Sequence, residues 1–351
     1  MQVLVTGGNG LLGRHLVPLL GARGYQVRVL TLPGEDTSWL QEQGALVVAG
    51  DVRLAESIAP AVEGVDAVIH MAGMMGLWRS LKDYQAVNVD GTQKVAQAAI
   101  GAGVSRFVQI SSWTVYGMNL GHAVSEDFPL APFEEPYAVT KAAADLLIQQ
   151  MTARDALPAV IVRPGTFFGP GDLLHFARIA DRVRLRRALV VGSGDNALPF
   201  VYVTDVAQGV VRALEHGVVG HAYNISHDQP VTQLELLEAI AAELDTAGPR
   251  LHIPYAAMYA AGAAAERLAA VTGSGRQPLL TRLGVKLFGT DNRHCIGRAR
   301  REIGFGPEVT LREGVHRAAL WYRSQLPVRL GANTKPHAVS TTPSDWPGGE
   351  A

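Results

Sequence analysis

The chain has 351 residues, 48% of them hydrophobic and 18% charged, with a formal net charge of −1. That is the balance of an ordinary globular protein, and it supplies no broad field for nucleic acid or for a membrane surface. A single cysteine, Cys295, excludes an internal disulfide framework and a cysteine-rich metal site, so no metal is expected. It fits a reducing compartment such as the cytoplasm and reads as a small apolar packing residue.

The N-terminus, "MQVLVTGGNG", has neither the basic stretch nor the apolar core of an export signal. From there short apolar runs alternate with helical patterns, which predicts βαβ units and an α/β fold around a doubly wound parallel sheet. The strands are "QVLVT", "QVRVLT", "LVVAGD", "AVIHMA", "RFVQISS" and "AVIVRP". "LLGRHLVPLLGARG" and "YQAVNVDGTQKVAQAAIGAG" carry helical spacing with glycine stops.

Between the first strand and first helix stands "VTGGNGLLG", with Gly7, Gly10 and Gly13 spaced GxxGxxG. Gly7 allows the tight turn, Gly10 lets the backbone approach a pyrophosphate, and Gly13 permits close helix packing. The loop residues Gly7, Asn9, Gly10, Leu11, Leu12 and Gly13 are therefore the expected dinucleotide contacts, with Thr31 at the end of the second strand. An acidic residue there would hold the ribose of NAD and an arginine the phosphate of NADP. This chain has Thr31, Leu32 and Pro33. The missing carboxylate leaves NAD and NADP both open and tilts toward NADP. Arg14 could add charge, although a solvated first-turn arginine is the plainer reading.

Further along, "ISSWTVYG" places Ser111 and Ser112 after a strand, and "PYAVTK" puts Tyr137 and Lys141 on one helix face. A serine hydroxyl, a phenol and an ammonium make a proton-transfer device for an alcohol or ketone. The phenol's ordinary pKa of about 10 is expected to fall beside the ammonium, toward a working pH. Tyr137 is then the general acid or base, Lys141 also bonds the nicotinamide ribose, and the serine orients the substrate oxygen.

After Gly165 the alternation decays. The division read from this is a Rossmann domain over 1–165, with strand and helix returning at about 199–226, and an interleaved, smaller substrate-binding region over 166–326. A tail rich in Pro, Gly, Ser and Thr occupies 327–351 and is expected to be disordered. "PYAAMYAAGAAAERLAAVTG" from Pro254 is broken by Glu266 and Arg267, so it reads as a soluble helix lining an apolar cavity. Arg178, Arg182, Arg184, Arg186 and Arg187 read as a solvated helix face, with recognition of an anionic substrate group as the alternative.

Taken in order, "TGGNGLLG", "GDV", "HMAG", "NVDGT", "SSWTVYG", "PYAVTK", "RPGTFFGPGD", "FVYVTDVA" and "YNI" resemble the extended short-chain dehydrogenase/reductases. Within them the likeness is to the branch of epimerases, dehydratases and 3β-hydroxysteroid dehydrogenases. The resemblance implies that Asp51 and Val52 contact adenine. It places Met71, Ala72 and Gly73 near the pyrophosphate and ribose, Asn88 near the nicotinamide, and Pro164 and Gly165 near its carboxamide. It selects Ser112 as the catalytic hydroxyl beside Tyr137 and Lys141, with Ser111 on the cofactor side. Asp205 reads as a helix cap and His70 as structural. A homodimer through paired helices near Val87–Gly101 and Tyr137–Met151 is also implied.

Departures narrow the chemistry. Dehydratases of this family carry an Asp-Glu pair after the catalytic hydroxyl residue, where this chain has Trp113 and Thr114. Nucleotide-sugar epimerases commonly carry an asparagine after the "RP" strand end, where this chain has Gly165, Thr166, Phe167 and Phe168. With Met74, Met75, Trp78, Trp113 and Phe167 near the cofactor motifs, a hydrophobic sterol-like, alicyclic or long-chain keto-acid substrate is expected. The alternatives are a nucleotide-sugar epimerase or 4-keto reductase, and a non-catalytic dinucleotide sensor. Retention of Ser112, Tyr137 and Lys141 argues against the last.

Overall fold

The computed structural model describes residues 1–75, 79–272, 278 and 280–331, with the backbone alone for 327–331. Trp78 and most of the expected tail lie outside them. The first half of the chain alternates as the sequence predicts: β1 (Gln2–Thr6), α1 (Leu11–Ala22), β2 (Gln26–Thr31), α2 (Ser38–Glu42), β3 (Leu46–Ala49), α3 (Ala55–Val62), β4 (Ala67–His70), α4 (Leu81–Gln85), α5 (Thr92–Gly101), β5 (Arg106–Ile110), α6 (Pro136–Arg154) and β6 (Ala159–Pro164). The second half holds β7 (Thr166–Phe168), α7 (Phe176–Arg184), β8 (Val190–Val191), β9 (Ala197–Leu198), β10 (Phe200–Tyr202), α8 (Val203–His216), β11 (Ala222–Ile225), β12 (Val231–Thr232) and α9 (Gln233–Glu243). It ends with β13 (His252–Ile253), α10 (Tyr255–Val271), α11 (Arg282–Gly289), α12 (Gly297–Ile303) and α13 (Leu311–Gly331).

Seven strands form one parallel sheet in the order β11-β6-β5-β4-β1-β2-β3. A parallel sheet needs cover on both faces, and β4 and β6 are accordingly buried along their whole length. Alternate residues feed opposite layers. Val3, Val5 and Ile69 join the core built on α1, α8 and α12, whereas Leu4, Val68 and Phe107 join the one built on α3, α5 and α6. The apolar run "FVY" forms β10, which pairs with β7 outside the main sheet; the strand that returns to it is β11. A third core, around Phe168, Phe176, Tyr202 and Ile240, gathers β7, α7, α9, α13 and the short strands.

Several expectations change. Asp205 lies in the first turn of α8 but does not cap it; its carboxylate accepts the backbone N–H groups of Glu308 and Val309 instead. Cys295 is exposed rather than packed. The final helix α13 runs to Gly331, five residues into the segment expected as tail. The Ala-rich α10 buries only Met258 and Gly262, and among the described residues no helix is long and apolar enough to cross a membrane.

Behind the sheet edge, Asn224 on β11 donates to the carbonyls of Val124 and Cys295 at 3.2 and 3.1 Å and accepts from Tyr116 Oη at 2.8 Å. The segment around residue 294 is thereby fixed to the sheet.

Candidate active site

The strand register aligns Thr6 with His70, His70 with Gln109, and Ile110 with Val162. Four loops therefore meet at the carboxyl edge, beside the point where the strand order reverses between β1 and β4. Ligands of open parallel sheets bind there.

In the glycine loop, Gly7 has φ +71, and a Cβ on it would sit 2.8 Å from Ala72 Cα. A Cβ on Gly13 would lie 1.9 Å from the Gly8 carbonyl oxygen, so α1 can pack this closely only with glycine. Gly10 caps α1 without a side-chain hydrogen bond. The first-turn N–H groups, with Leu11 and Leu12 behind them, face an end of positive helix dipole suited to a pyrophosphate. The residues present fit a dinucleotide.

Asn9 is not free for it. Its amide nitrogen donates to Glu35 Oε2 at 3.3 Å and to the Asp36 carbonyl at 3.2 Å, and its oxygen accepts from Trp39 Nε1 at 2.6 Å. Arg14 is no solvated first-turn residue: its guanidinium lies 4.9 Å over the Trp39 ring, its pKa lowered by burial and opposed by the charge of Asp36. Carboxylates thus stand beside the loop although Thr31, which is buried, brings none. Asp51, expected at adenine, grips Arg53 through Nε at 2.8 Å and Nη2 at 2.5 Å, which lowers its carboxyl pKa. Val52 packs against Gly91, where a Cβ would meet it at 3.0 Å.

After β4, Met71 and Ala72 N–H groups bond the Thr6 carbonyl and Oγ1, each at 3.2 Å. His70 sits between Thr6 Oγ1 at 2.7 Å and Thr92 Oγ1 at 2.9 Å. Thr92 donates onward to the Asn88 carbonyl, so it must accept from His70 Nε2–H, and Thr6 must donate to Nδ1. Burial pushes His70 down to about 3, and it stays neutral. Asn88 lies in a π-helical turn over Ala86–Gly91, a feature often found at functional sites. Its side chain clamps the loop to the catalytic helix, accepting from Met74 N–H at 2.7 Å and donating to Thr140 Oγ1 at 3.0 Å. Gly73 leaves room beside it: a Cβ there would lie 3.3 Å from Asn88 Oδ1 and 3.9 Å from Lys141 Nζ.

Pro136 opens α6 and Glu135 caps it, accepting from the Tyr137 and Ala138 N–H groups. This fixes Tyr137 in the first turn and Lys141 one turn on. Ser112 comes after β5, opens the short 3₁₀ turn Trp113–Tyr116 and hydrogen-bonds Tyr137. Burial pushes the Tyr137 phenol up to about 12, and the bond to Ser112 opposes it. Lys141 does not bring it down. Its Nζ donates to the Ile110 carbonyl, and burial lowers it to about 8 against the opposing charge of Asp145. At neutral pH the phenol is therefore an un-ionised donor, contrary to the shift expected from sequence.

Ser111 faces a buried ion pair. It donates to Asp145 Oδ2 at 2.6 Å, and Arg163 holds the same carboxylate through Nε and Nη2, both at 2.9 Å. Pro164 ends β6, and a Cβ on Gly165 would fall 2.3 Å from the Pro199 carbonyl oxygen.

On the substrate side Trp113 is buried, donates to Thr166 Oγ1 at 3.0 Å and stands 5.6 Å edge-on from His294. Met74 is half-buried. Phe167 is half-buried and packs in part against the core of the α1 face. The exposed Arg178 and Arg182 point outward from α7, and Arg184 bonds Tyr322 Oη. Spacing alone does not single out Glu35, Trp39, Asp145, Arg163 or His294. Only Asp145 carries a readable signal, four residues after Lys141 on the same helix face.

Comparisons with known proteins identify the family. The model of the NAD dependent epimerase/dehydratase family matches residues 3–226. The chain is 33% identical over 328 residues to the 2-alkyl-3-oxoalkanoate reductase of Stenotrophomonas maltophilia, covering 90% of this chain and 98% of that one. It is 30% identical over 332 residues to the decarboxylating sterol-4-alpha-carboxylate 3-dehydrogenase of Mus musculus, covering 89% and 88%. Among solved structures, dTDP-glucose 4,6-dehydratase DesIV from Streptomyces venezuelae, with NAD and TYD bound, superposes at a TM-score of 0.75 and 27% identity, covering 93% and 98%. The chain belongs to the NAD-dependent epimerase/dehydratase family, the extended short-chain dehydrogenase/reductases.

Proposed function

We propose that the protein interconverts a secondary alcohol and a ketone on a hydrophobic substrate, working as a reductase. The observation that carries this is geometric: Tyr137 in the first turn of α6, Lys141 one turn on and Ser112 just after β5 come together at the carboxyl edge of the sheet. A bound nicotinamide supplies the hydride. As charge develops on the carbonyl oxygen, Tyr137 donates its proton there and Ser112 donates a hydrogen bond that holds the oxygen in place. Lys141, buried beside Gly73, places positive charge at the same edge.

NAD is the cofactor this reading favours. Glu35 and Asp36 bring negative charge to the glycine loop, and Arg14 is engaged with Trp39 and Asp36. A ribose phosphate would meet repulsion of about 1 kcal/mol per charge pair at hydrogen-bonding range in water. The tilt toward NADP that the missing carboxylate suggests is set aside.

For the substrate, the absence of an asparagine in "RPGTFFGPG" favours apolar bulk over a nucleotide diphosphate. Relatives named for oxoalkanoate reduction and sterol oxidation point the same way. Solved relatives that handle nucleotide sugars keep that second reading alive. A screen of sterols, 3-keto acids and nucleotide sugars, monitored by the absorbance of NADH and NADPH, separates the two. Faster turnover of nucleotide sugars than of sterols or keto acids would overturn the proposal.

The groove between α5 and α6, lined by Gln97, Ile100, Leu147 and Met151, with Leu146 45% exposed nearby, supports an isologous dimer. The single exposed cysteine is in keeping with a reducing cytoplasm.

A further inference from the structure

A cavity of about 260 Å³ opens beside the catalytic segments, lined by Met118, Asn119, Phe133, Tyr255, Lys286 and Thr290, with Gly289 at its margin. Met118 lies just beyond the 3₁₀ turn that Ser112 opens, and Phe133 stands four residues before Tyr137, at most about 14 Å along the chain. Pockets that enclose a drug-sized molecule measure about 300–1,000 Å³, so this one has room for the end of a substrate whose middle lies at Tyr137.

Its walls are of two kinds. Met118, Phe133 and Tyr255 are apolar surfaces, whereas Asn119, Thr290 and Lys286 are polar. Asn119 holds a left-handed backbone, φ 57, and is tied on both sides to the opposite wall: its N–H donates to Asn292 Oδ1 and its Oδ1 accepts from Asp291 N–H. Lys286 is half-buried in the last turn of α11, its ammonium 5.9 Å over the Tyr259 ring. No carboxylate among the described residues pairs with it. The nearby acids have other partners, Glu266 with Arg282 and Asp291 with Arg293. A half-buried ammonium held by an aromatic face, without a counter-charge, in a cavity that is otherwise partly apolar, is a receptor for an anion on an apolar stem.

We propose that this cavity is a subsite for a carboxylate carried at the far end of an elongated, mostly apolar ketone or alcohol, with Lys286 as its charge partner. The inference rests on the reductase reading for the position of the reacting carbonyl.

The test uses the full chain saturated with NAD and measures calorimetric binding of decanoate and of methyl decanoate, neither of which can be turned over. Decanoate should bind at least about tenfold more tightly than the ester. Lys286→Gln should abolish that preference while leaving the affinities for NAD and for the ester unchanged, and Lys286→Arg should retain most of it. Equal binding of acid and ester, no binding of decanoate, or a preference that survives in Lys286→Gln would overturn the proposal. If the preference behaves as expected and no ketone is reduced, the subsite stands and the reductase reading fails. If ketones are reduced and the preference is absent, the reverse holds.

Discussion

Replacing Asp145 by asparagine removes one charge and almost no volume, and the surroundings of the carboxylate determine the cost. It is fully buried and accepts four donors: Ser111 Oγ at 2.6 Å, Gln149 Nε2 at 2.7 Å, and Arg163 Nε and Nη2 at 2.9 Å each. Every one of these meets an acceptor in the wild-type protein. An asparagine offers one oxygen and an NH₂ that must face a donor, and it leaves the Arg163 guanidinium, 3% exposed, without its counter-charge. Breaking a buried pair from one side costs about 3–5 kcal/mol. At about 1.4 °C per kcal/mol for a chain of this size, Tm should fall by roughly 4–7 °C. The double variant Asp145→Leu/Arg163→Met removes both charges and refills the space, and it should recover most of that loss. Scanning calorimetry on the single variants Asp145→Asn and Arg163→Met and on the double variant decides the matter. An Asp145→Asn protein melting within about 1 °C of wild type, or a double variant that loses as much as the two single losses combined, would refute the reasoning.

Tyr137→Phe should leave NAD binding nearly intact and lower kcat by at least about a hundredfold, the scale of lost general acid catalysis; turnover within a few-fold of wild type would remove Tyr137 from that role. Burial depresses Lys141 from 10.5 to about 8, so it is protonated in both folded and unfolded chains below that pH and its burial cost is then fully present. Between about pH 8 and 10.5 the unfolded chain binds the extra proton, and wild type should gain about 1.4 kcal/mol per pH unit relative to Lys141→Met in urea unfolding. Glu35→Gln combined with Asp36→Asn should raise the affinity for NADP relative to NAD several-fold, as read by fluorescence titration. Leu146→Glu should shift the protein toward monomer in light scattering at micromolar concentration, with the thermal unfolding of each subunit still cooperative.

The sheet was legible because each of its first six strands is a short apolar run flanked by glycine or a helical pattern, and their order carried the register. The grouping of Ser112, Tyr137 and Lys141 was legible for the same reason: Ser112 follows a strand, and Tyr137 and Lys141 stand in the first turns of a helix. What spacing could not carry was long-range pairing. Asn9 looks like a cofactor contact until Trp39 and Glu35 are seen to hold it. Ser111 looks like a neighbour of the cofactor until Asp145 is seen behind it. Phe167 and Phe168 stand side by side in sequence yet belong to different cores, since successive strand residues face opposite ways. The direction of the Tyr137 shift is hidden from the sequence because desolvation, which no local pattern reports, outweighs the charge one turn away.

The bond from Asn224 to Cys295 has a kinetic side. Strands β1 to β6 follow one another along the chain, and all are present once residue 164 has been made. Fixing the segment that carries His294 needs Val124, Asn224 and Cys295 together, a closure over 171 residues between the first and last. Contacts of such long range form slowly, because the entropy of closing the loop is lost before the contact stabilises anything. Contact separation thus predicts that the layer of β1 to β6 forms first during synthesis and that the wall against Trp113 closes last.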